Sequence, residues 1–219
     1  MHRNTDGYKR EYKKRGELWM HDGKKETPHP ILNSGKHADS VFKLKIFDDF
    51  FSEAIGDLVV LLGKKVSLID IDRVVGPETN ATRMAQFLSF RIGNEPGRQR
   101  LCHWSSPKKQ GEGKDKKLIF RESKQFTGDN VLICDNVLTT GESIELTAKA
   151  TEAKGGIVLS FVLVVVNWSG LKRANGRRII SLMNLQMSTW EPGKCQLCEL
   201  GSPAIRPSEG NWSCLTAKY

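Results

Sequence analysis

A chain of 219 residues, 38% hydrophobic and 27% charged, is sized for one folding unit with room for a small appended flap, which excludes large multidomain readings. Its longest apolar runs, 58–62 and 157–166, are too short to cross a bilayer, and the polar, basic N-terminus has no signal-peptide core, so the expectation is a cytoplasmic protein without a membrane partner. The formal net charge of +9 favours anionic partners, from nucleic acid to polyphosphorylated small molecules, without choosing among them.

In chain order, residues 1–16 carry a basic cluster at 9–15 and read as a poorly ordered leader. Apolar residues at helical spacing from Asp48 to Leu62, closed by Gly63, predict a core-facing helix. The run through Ile71, Val74 and Val75 ends at Gly76-Pro77, and a second helical pattern runs from Thr79 to Ile92, stopped by Gly93. A short strand is expected near 99–104. The glycine- and lysine-rich stretch 106–117 has neither helical nor strand periodicity and reads as a mobile loop, after which Leu118-Ile119-Phe120 resumes extended structure. Val131–Cys134 is a buried-type strand, Glu142 to Lys154 a helix capped by Gly155-Gly156, and Ile157 to Val166 a second buried strand. Continuous apolar strands around a helix predict a βαβ unit in an α/β fold, with a parallel sheet covered on both faces and ligands beyond the carboxyl ends of its strands. Ile179 to Met187 is a further strand candidate, and the chain turns irregular from Pro192 onward.

The chemistry concentrates in Cys134-Asp135-Asn136-Val137-Leu138-Thr139-Thr140-Gly141-Glu142-Ser143. A helix N-terminus offers unpaired N–H groups to a phosphate, the threonine hydroxyls add donors, and Gly141 permits close backbone approach. Asp135 can accept hydrogen bonds from sugar hydroxyls, so an acid followed within one turn by Thr-Thr-Gly suits a ribose 5-phosphate. The same residue types also suit an ordinary capped helix. Neither a P-loop nor a G-x-G-x-x-G pattern is present.

Residues 130–143 resemble the phosphoribosyl-diphosphate (PRPP) motif of type I phosphoribosyltransferases. Leu18-Trp19-Met20-His21-Asp22-Gly23 with Pro28 to Asp39, containing Ser34-Gly35-Lys36-His37, looks like the N-terminal segment of the orotate phosphoribosyltransferases. Val75-Gly76-Pro77 looks like their diphosphate loop, and Trp190 to Pro203 resembles the Cys-x-x-Cys ending of a bacterial branch. The resemblance implies a parallel-sheet, Rossmann-like core at about 48–187 with a small hood from 17–47 and 188–219, together one domain over 17–219. It also implies Mg²⁺-dependent transfer of ribose 5-phosphate from PRPP to a nucleobase, orotate first, with release of diphosphate, in a homodimer serving pyrimidine nucleotide synthesis.

Carried onto this chain, the resemblance implies Asp135, Asn136, Lys116 and Lys117 as catalytic, the last two among the loop lysines Lys108, Lys109, Lys114, Lys116 and Lys117. Asp135, Val137, Leu138, Thr139, Thr140, Gly141 and Glu142 would hold the ribose phosphate. Gly76, Pro77, Thr79 and Asn80 would hold the diphosphate, and Ser34, Gly35, Lys36, Val41, Phe42 and Trp168 the base. Three positions depart from the family pattern. Asn136 replaces a second acid and loses its charge, Glu78-Thr79-Asn80-Ala81 replaces a Gly-Gly pair, and Asn167-Trp168 replaces an Asp-Arg whose arginine pairs with a base carboxylate. These departures motivate a second reading, a PRPP- or nucleotide-binding regulatory protein of weakened activity, with nucleic acid as a partner in that reading alone, and a third, transfer to another base. Cys195, Cys198 and Cys214 offer three ligands where structural zinc wants four, so free thiols are favoured over a zinc site.

Overall fold

The computed structural model describes residues 3–45, 48–78, 80–111, 115–121, 123–207 and 212–216. The chain divides into two compact units, one spanning Lys45–Leu185 and the other Arg3–Leu44 with the described residues of Gln186–Tyr219.

The smaller unit opens with α1 (Thr5–Lys14), capped by Asn4, whose Oδ1 accepts from the Gly7 N–H at 2.9 Å. Tyr8 and Tyr12 are fully buried on this helix. The stretch expected as a poorly ordered leader is therefore a packed helix over these residues, because an i, i+4 pair of aromatics gives a lysine-rich segment one apolar face. Phe42 meets the Tyr12 ring edge-on at 4.9 Å between centroids. Short strands follow, β1 (Leu18–Met20), β2 (His29–Pro30), β3 (His37–Ala38) and β4 (Ser40–Phe42), with β1 antiparallel to β4.

The larger unit starts at α2 (Asp49–Gly63), where the Asp48 carboxylate accepts from the Phe51 N–H at 2.8 Å. Phe51, Ile55, Leu58 and Leu62 recur at helical spacing on its buried side. Then come β5 (Arg73–Val75), α3 (Asn80–Gly93), β6 (His103–Ser105), β7 (Lys108–Gln110), β8 (Lys117–Ile119), β9 (Asn130–Leu138), α4 (Glu142–Ala153), β10 (Ile157–Asn167), β11 (Arg173–Ala174) and β12 (Arg177–Asn184). One sheet has the order β11-β12-β10-β9-β5-β6, parallel throughout except for the β11–β12 edge. Val131 to Cys134 and Val162 to Val166 are fully buried, as a parallel sheet covered on both faces requires. Arg73, also buried, donates to Asp129 Oδ2 at 2.9 Å and to Ser105 Oγ at 2.8 Å, with its guanidinium 4.1 Å from the centre of the Phe126 ring.

Three local expectations change. The stretch 106–117 contains a strand pair instead of a plain loop, with Lys108 facing Ile119 and Gln110 facing Lys117, since ladder hydrogen bonds need no apolar alternation in the side chains. The strand expected to end at Cys134 continues to Leu138, carried by parallel pairing with β10 out to Leu138↔Asn167. The last large strand is Arg177–Asn184, two residues earlier at its start than the apolar run.

The smaller unit closes with β13 (Thr189–Trp190) antiparallel to β3, α5 (Gln196–Glu199), β14 (Ala204–Ile205) parallel to β2, and α6 (Trp212–Thr216). Among the described residues no helix is long and apolar enough to cross a membrane.

Candidate active site

The β9–α4 junction lies at the carboxyl edge of the parallel sheet. Its strand residues Val137 and Leu138 pair with Val166 and Asn167 of β10. Ile133, Leu138, Ile144 and Ala148 pack with Val162 and Val164 into one cluster. This packing fixes the helix beside the strand, and the three residues between them must reverse the chain without burying it. Thr139 and Thr140 are exposed. Gly141 then turns left-handed, φ +84°, at the N-cap position, where it provides no side-chain cap for the first turn of α4. The Glu142 N–H points to Thr140 Oγ1 at 3.3 Å. The Gly141 carbonyl accepts from Asn175 Nδ2 at 3.0 Å, so a residue on the β11–β12 turn holds the junction from outside. That residue had a sequence cue in the turn-forming pair Asn175-Gly176, which pattern reading passed over.

Asp135 and Asn136 stand on the strand instead of in the loop. Asp135 Oδ1 accepts from the Asn136 N–H at 2.7 Å. Burial raises the Asp135 carboxyl to about 7, against the opposing pull of that hydrogen bond. Asn136 is buried, and neither polar atom of its side chain has a hydrogen-bond partner among the described residues. Val137 is half-buried.

Of the described loop lysines, Lys116 meets this junction, its Nζ lying 2.8 Å from the Glu142 carboxylate in the first turn of α4. Lys117 is exposed on β8, and Lys108 pairs with Glu78 at 2.8 Å. Lys114 and Thr79 lie outside the described residues, as does the side chain of Asn80.

The expected diphosphate turn is folded against its surroundings. Gly76 N–H donates to the Ser105 carbonyl at 3.2 Å, Ser106 Oγ donates to the Gly76 carbonyl at 2.7 Å, and the Glu78 N–H donates to the Pro107 carbonyl at 3.1 Å. A Cβ on Gly76 would stand 2.8 Å from the Ala81 carbonyl carbon and nearer still to its oxygen. Glycine is therefore a requirement of close approach at this turn, and the amides of residues 76 and 78 are already engaged.

The base-site candidates fall in both units. Trp168 follows β10, is buried, and donates its backbone N–H to the Leu138 carbonyl at 2.8 Å. Asn167 organises that turn, donating to the Leu171 carbonyl and to Asn184 Oδ1, both at 2.9 Å. In the smaller unit, Ser34, Gly35 and Lys36 form a turn in which the Gly35 N–H donates to the Leu32 carbonyl and Lys36 Nζ pairs with Glu191 at 3.0 Å. Val41 and Phe42 line a pocket of about 530 Å³ with Ile31, Leu32, Lys43 and Trp212.

The cysteine expectation needs correcting. Cys195 and Cys198 lie against His29 and His37, while Cys214 is exposed on α6 and is not part of that group. Burial, and after it the charges of His37 and His21, pushes His29 down to about 4. None of the five cysteines forms a disulfide. The two histidines were passed over because they stand far from the Cys-x-x-Cys turn in sequence and meet it only through the β2–β14 and β3–β13 pairings.

No family model matches the chain. Among curated proteins it is similar to the orotate phosphoribosyltransferase of Caldanaerobacter subterraneus subsp. tengcongensis, 27% identical over 186 residues that cover 82% of this chain and 87% of the relative. A second orotate phosphoribosyltransferase, from Thermus thermophilus, is 28% identical over 189 residues, covering 85% and 96%. Among solved structures, the orotate phosphoribosyltransferase of Aeropyrum pernix superposes with a TM-score of 0.57 at 22% identity, over 80% of this chain and 92% of that one. The adenine phosphoribosyltransferase of Thermoanaerobacter pseudethanolicus gives 0.54 at 23%, over 67% and 88%. These two likenesses agree with the largely parallel sheet as a shared fold. The chain is thus similar over most of its length to curated orotate phosphoribosyltransferases, and it shares the fold of solved phosphoribosyltransferases.

Proposed function

We propose that the protein transfers ribose 5-phosphate from PRPP to a ring nitrogen of orotate, giving orotidine 5'-monophosphate and diphosphate. The observation that carries this reading is the helix end at 139–142, exposed threonines and a left-handed glycine that gives α4 no cap of its own, with the Thr140 hydroxyl at 3.3 Å from the Glu142 N–H alone. Uncapped N–H groups and the helix dipole attract a phosphate, and the two hydroxyls add donors. In the transfer, the bond from the anomeric carbon to diphosphate breaks with its electron pair leaving on the diphosphate. The carbon–nitrogen bond forms, and the proton of the ring nitrogen is lost in the net reaction to an oxygen of the departing diphosphate or to solvent.

Positive charge on the sugar and negative charge on the leaving group both peak in the transition state, so groups placed for those charges accelerate the step. Asp135, once ionised, supports the sugar. Lys116, released from Glu142, supplies a cation for the leaving group. Mg²⁺ bound with PRPP would neutralise diphosphate charge. Among the described residues no group of three or more His, Cys, Asp or Glu ligands stands at this junction, which suits an ion carried by the substrate's own oxygens, with Asp135 nearby. A cytoplasmic homodimer completes the reading.

The test is diphosphate release with PRPP, Mg²⁺ and a panel of bases. Orotate turnover at least tenfold above the purines supports the proposal, and no release with any base defeats it. The unpartnered Asn136 amide favours one rival, a PRPP-binding regulatory protein with little turnover. Calorimetry separates the two, since Mg²⁺-dependent PRPP binding without product belongs to the rival alone.

A further inference from the structure

We propose that His29, His37, Cys195 and Cys198 form a tetrahedral zinc site that ties together the two chain segments of the smaller unit. The four ligand atoms lie within 4.8 Å of one another, with no ion among them. His29 Nε2 is 2.9 Å from His37 Nδ1 and 3.5 Å from each sulfur, and Cys198 Sγ is 3.3 Å from His37 Nδ1. A zinc ion with bonds of about 2.0 to 2.3 Å places tetrahedral ligands about 3.3 to 3.8 Å apart. These four of the six separations match those edges to within a few tenths of an ångström.

Hydrogen bonding among neutral groups accounts for only one of the three close contacts at His29 Nε2. Ser202 Oγ donates to the Thr27 carbonyl at 2.7 Å, so toward His29 Nδ1, also at 2.7 Å, it acts as acceptor. His29 therefore carries its proton on Nδ1, and its Nε2 presents a single lone pair to the group. One lone pair accepts one hydrogen bond, yet three ligand atoms crowd that nitrogen. A central cation satisfies all four at once. Ser202 is then the outer partner that holds the imidazole in the ligating tautomer. His21 is used elsewhere, its Nδ1 accepting from the Gly23 N–H and its Nε2 lying 2.9 Å from the Thr27 carbonyl.

The backbone delivers the ligands without help from the ion. His29 and Ala204 pair between β2 and β14, His37 and Trp190 between β3 and β13, and the Cys-x-x-Cys turn lies between these two pairings in the chain. Gly201 N–H donates to the Cys198 carbonyl and Ser202 N–H to the Leu197 carbonyl, both at 2.9 Å, closing the turn. Two thiolates and two imidazoles in a tetrahedron suit zinc among the common divalent ions. Binding releases one proton from each thiol, and the resulting clamp joins residues 166 apart in sequence.

Metal analysis of the full chain, purified without chelator under reducing conditions, should find about one zinc per chain. Cys198→Ser and His37→Ala should each lower this to under about a tenth, while Cys214→Ser keeps it unchanged. Cobalt added to the stripped wild-type protein should give the visible absorption and sulfur charge-transfer bands of a tetrahedral thiolate site, a readout that does not depend on any variant folding. Stripping should also lower the unfolding midpoint, with zinc restoring it. Substoichiometric zinc together with a colourless cobalt titration overturns the proposal, as does full zinc retention in Cys198→Ser.

Discussion

Replacing Gly76 by alanine puts one methyl group where the turn after β5 meets the start of α3. The added carbon would sit 2.8 Å from the Ala81 carbonyl carbon and 3.1 Å from its Cβ, whereas carbons rest comfortably at about 3.5 to 4.0 Å. Either the turn or the first residues of α3 must move by roughly 0.7 Å or more. If α3 yields, overpacking costs about 1 to 3 kcal/mol, a fall of about 2 to 4 °C in unfolding midpoint per kcal/mol for a chain of this size. If the turn yields, the diphosphate loop implied by the family resemblance loses its alignment, and a displacement near 1 Å lowers the rate by about 100-fold. Thermal unfolding and kcat/KM for PRPP, measured together on Gly76→Ala, distinguish the two. A midpoint within about 1 °C of wild type with a rate within about threefold refutes the reasoning, because the methyl must then fit without displacement.

Three further outcomes follow from the same geometry. If ionised Asp135 supports the sugar, kcat/KM rises about tenfold per pH unit up to about 7 and levels off above it, and Asp135→Asn abolishes that limb along with most of the activity. The folded protein also holds the Asp135 proton more tightly than the unfolded chain does. Stability therefore falls as pH rises from the ordinary value of 3.8 to about 7, and denaturant titrations of Asp135→Asn across that window should be flatter. Glu142→Gln, which releases the partly exposed Lys116, should change stability by less than about 1 kcal/mol while shifting KM for PRPP; Lys116→Ala should lower kcat with little change in midpoint. Arg73→Leu leaves Asp129 and Ser105 without their donor and the Phe126 ring without its cation, and urea unfolding should record a loss of about 3 to 5 kcal/mol.

How far the sequence could be read depended on where apolar pattern coincides with structure. The β9–α4–β10 unit was legible because Val131–Cys134 and Ile157–Val166 are apolar runs, and the helix between them starts after Thr-Thr-Gly. The last four residues of β9 were not, since Asp135 and Asn136 look like loop residues and only the β10 ladder keeps them extended. The β7–β8 pair hides for a related reason, its strands being Lys-Lys-Gln and Lys-Leu-Ile. In α1 the tyrosine pair was visible but outweighed by five lysines and arginines at 9–15. The histidine–cysteine group required a chain path that brings His29 and His37 to Cys195 and Cys198, and nothing local in either segment announces it. Asn167 and Trp168 were readable as departures from a family pattern, yet their structural work, a fixed turn and a buried ring, follows only from the neighbours that surround them.

The left-handed glycine before α4 gives the helix no side-chain cap of its own, and an anion bound there would add to its opening turn. A phosphate would then act as the missing terminal residue, and the free energy of binding would appear as order in the helix itself. Amide exchange at 142–145 should slow when phosphate or PRPP is added, and saturation at about 100 times the dissociation constant should raise stability by about 2.7 kcal/mol. Ligand occupancy and secondary structure become one measurement at this position, so the protein reports its own loading through the rigidity of a single turn.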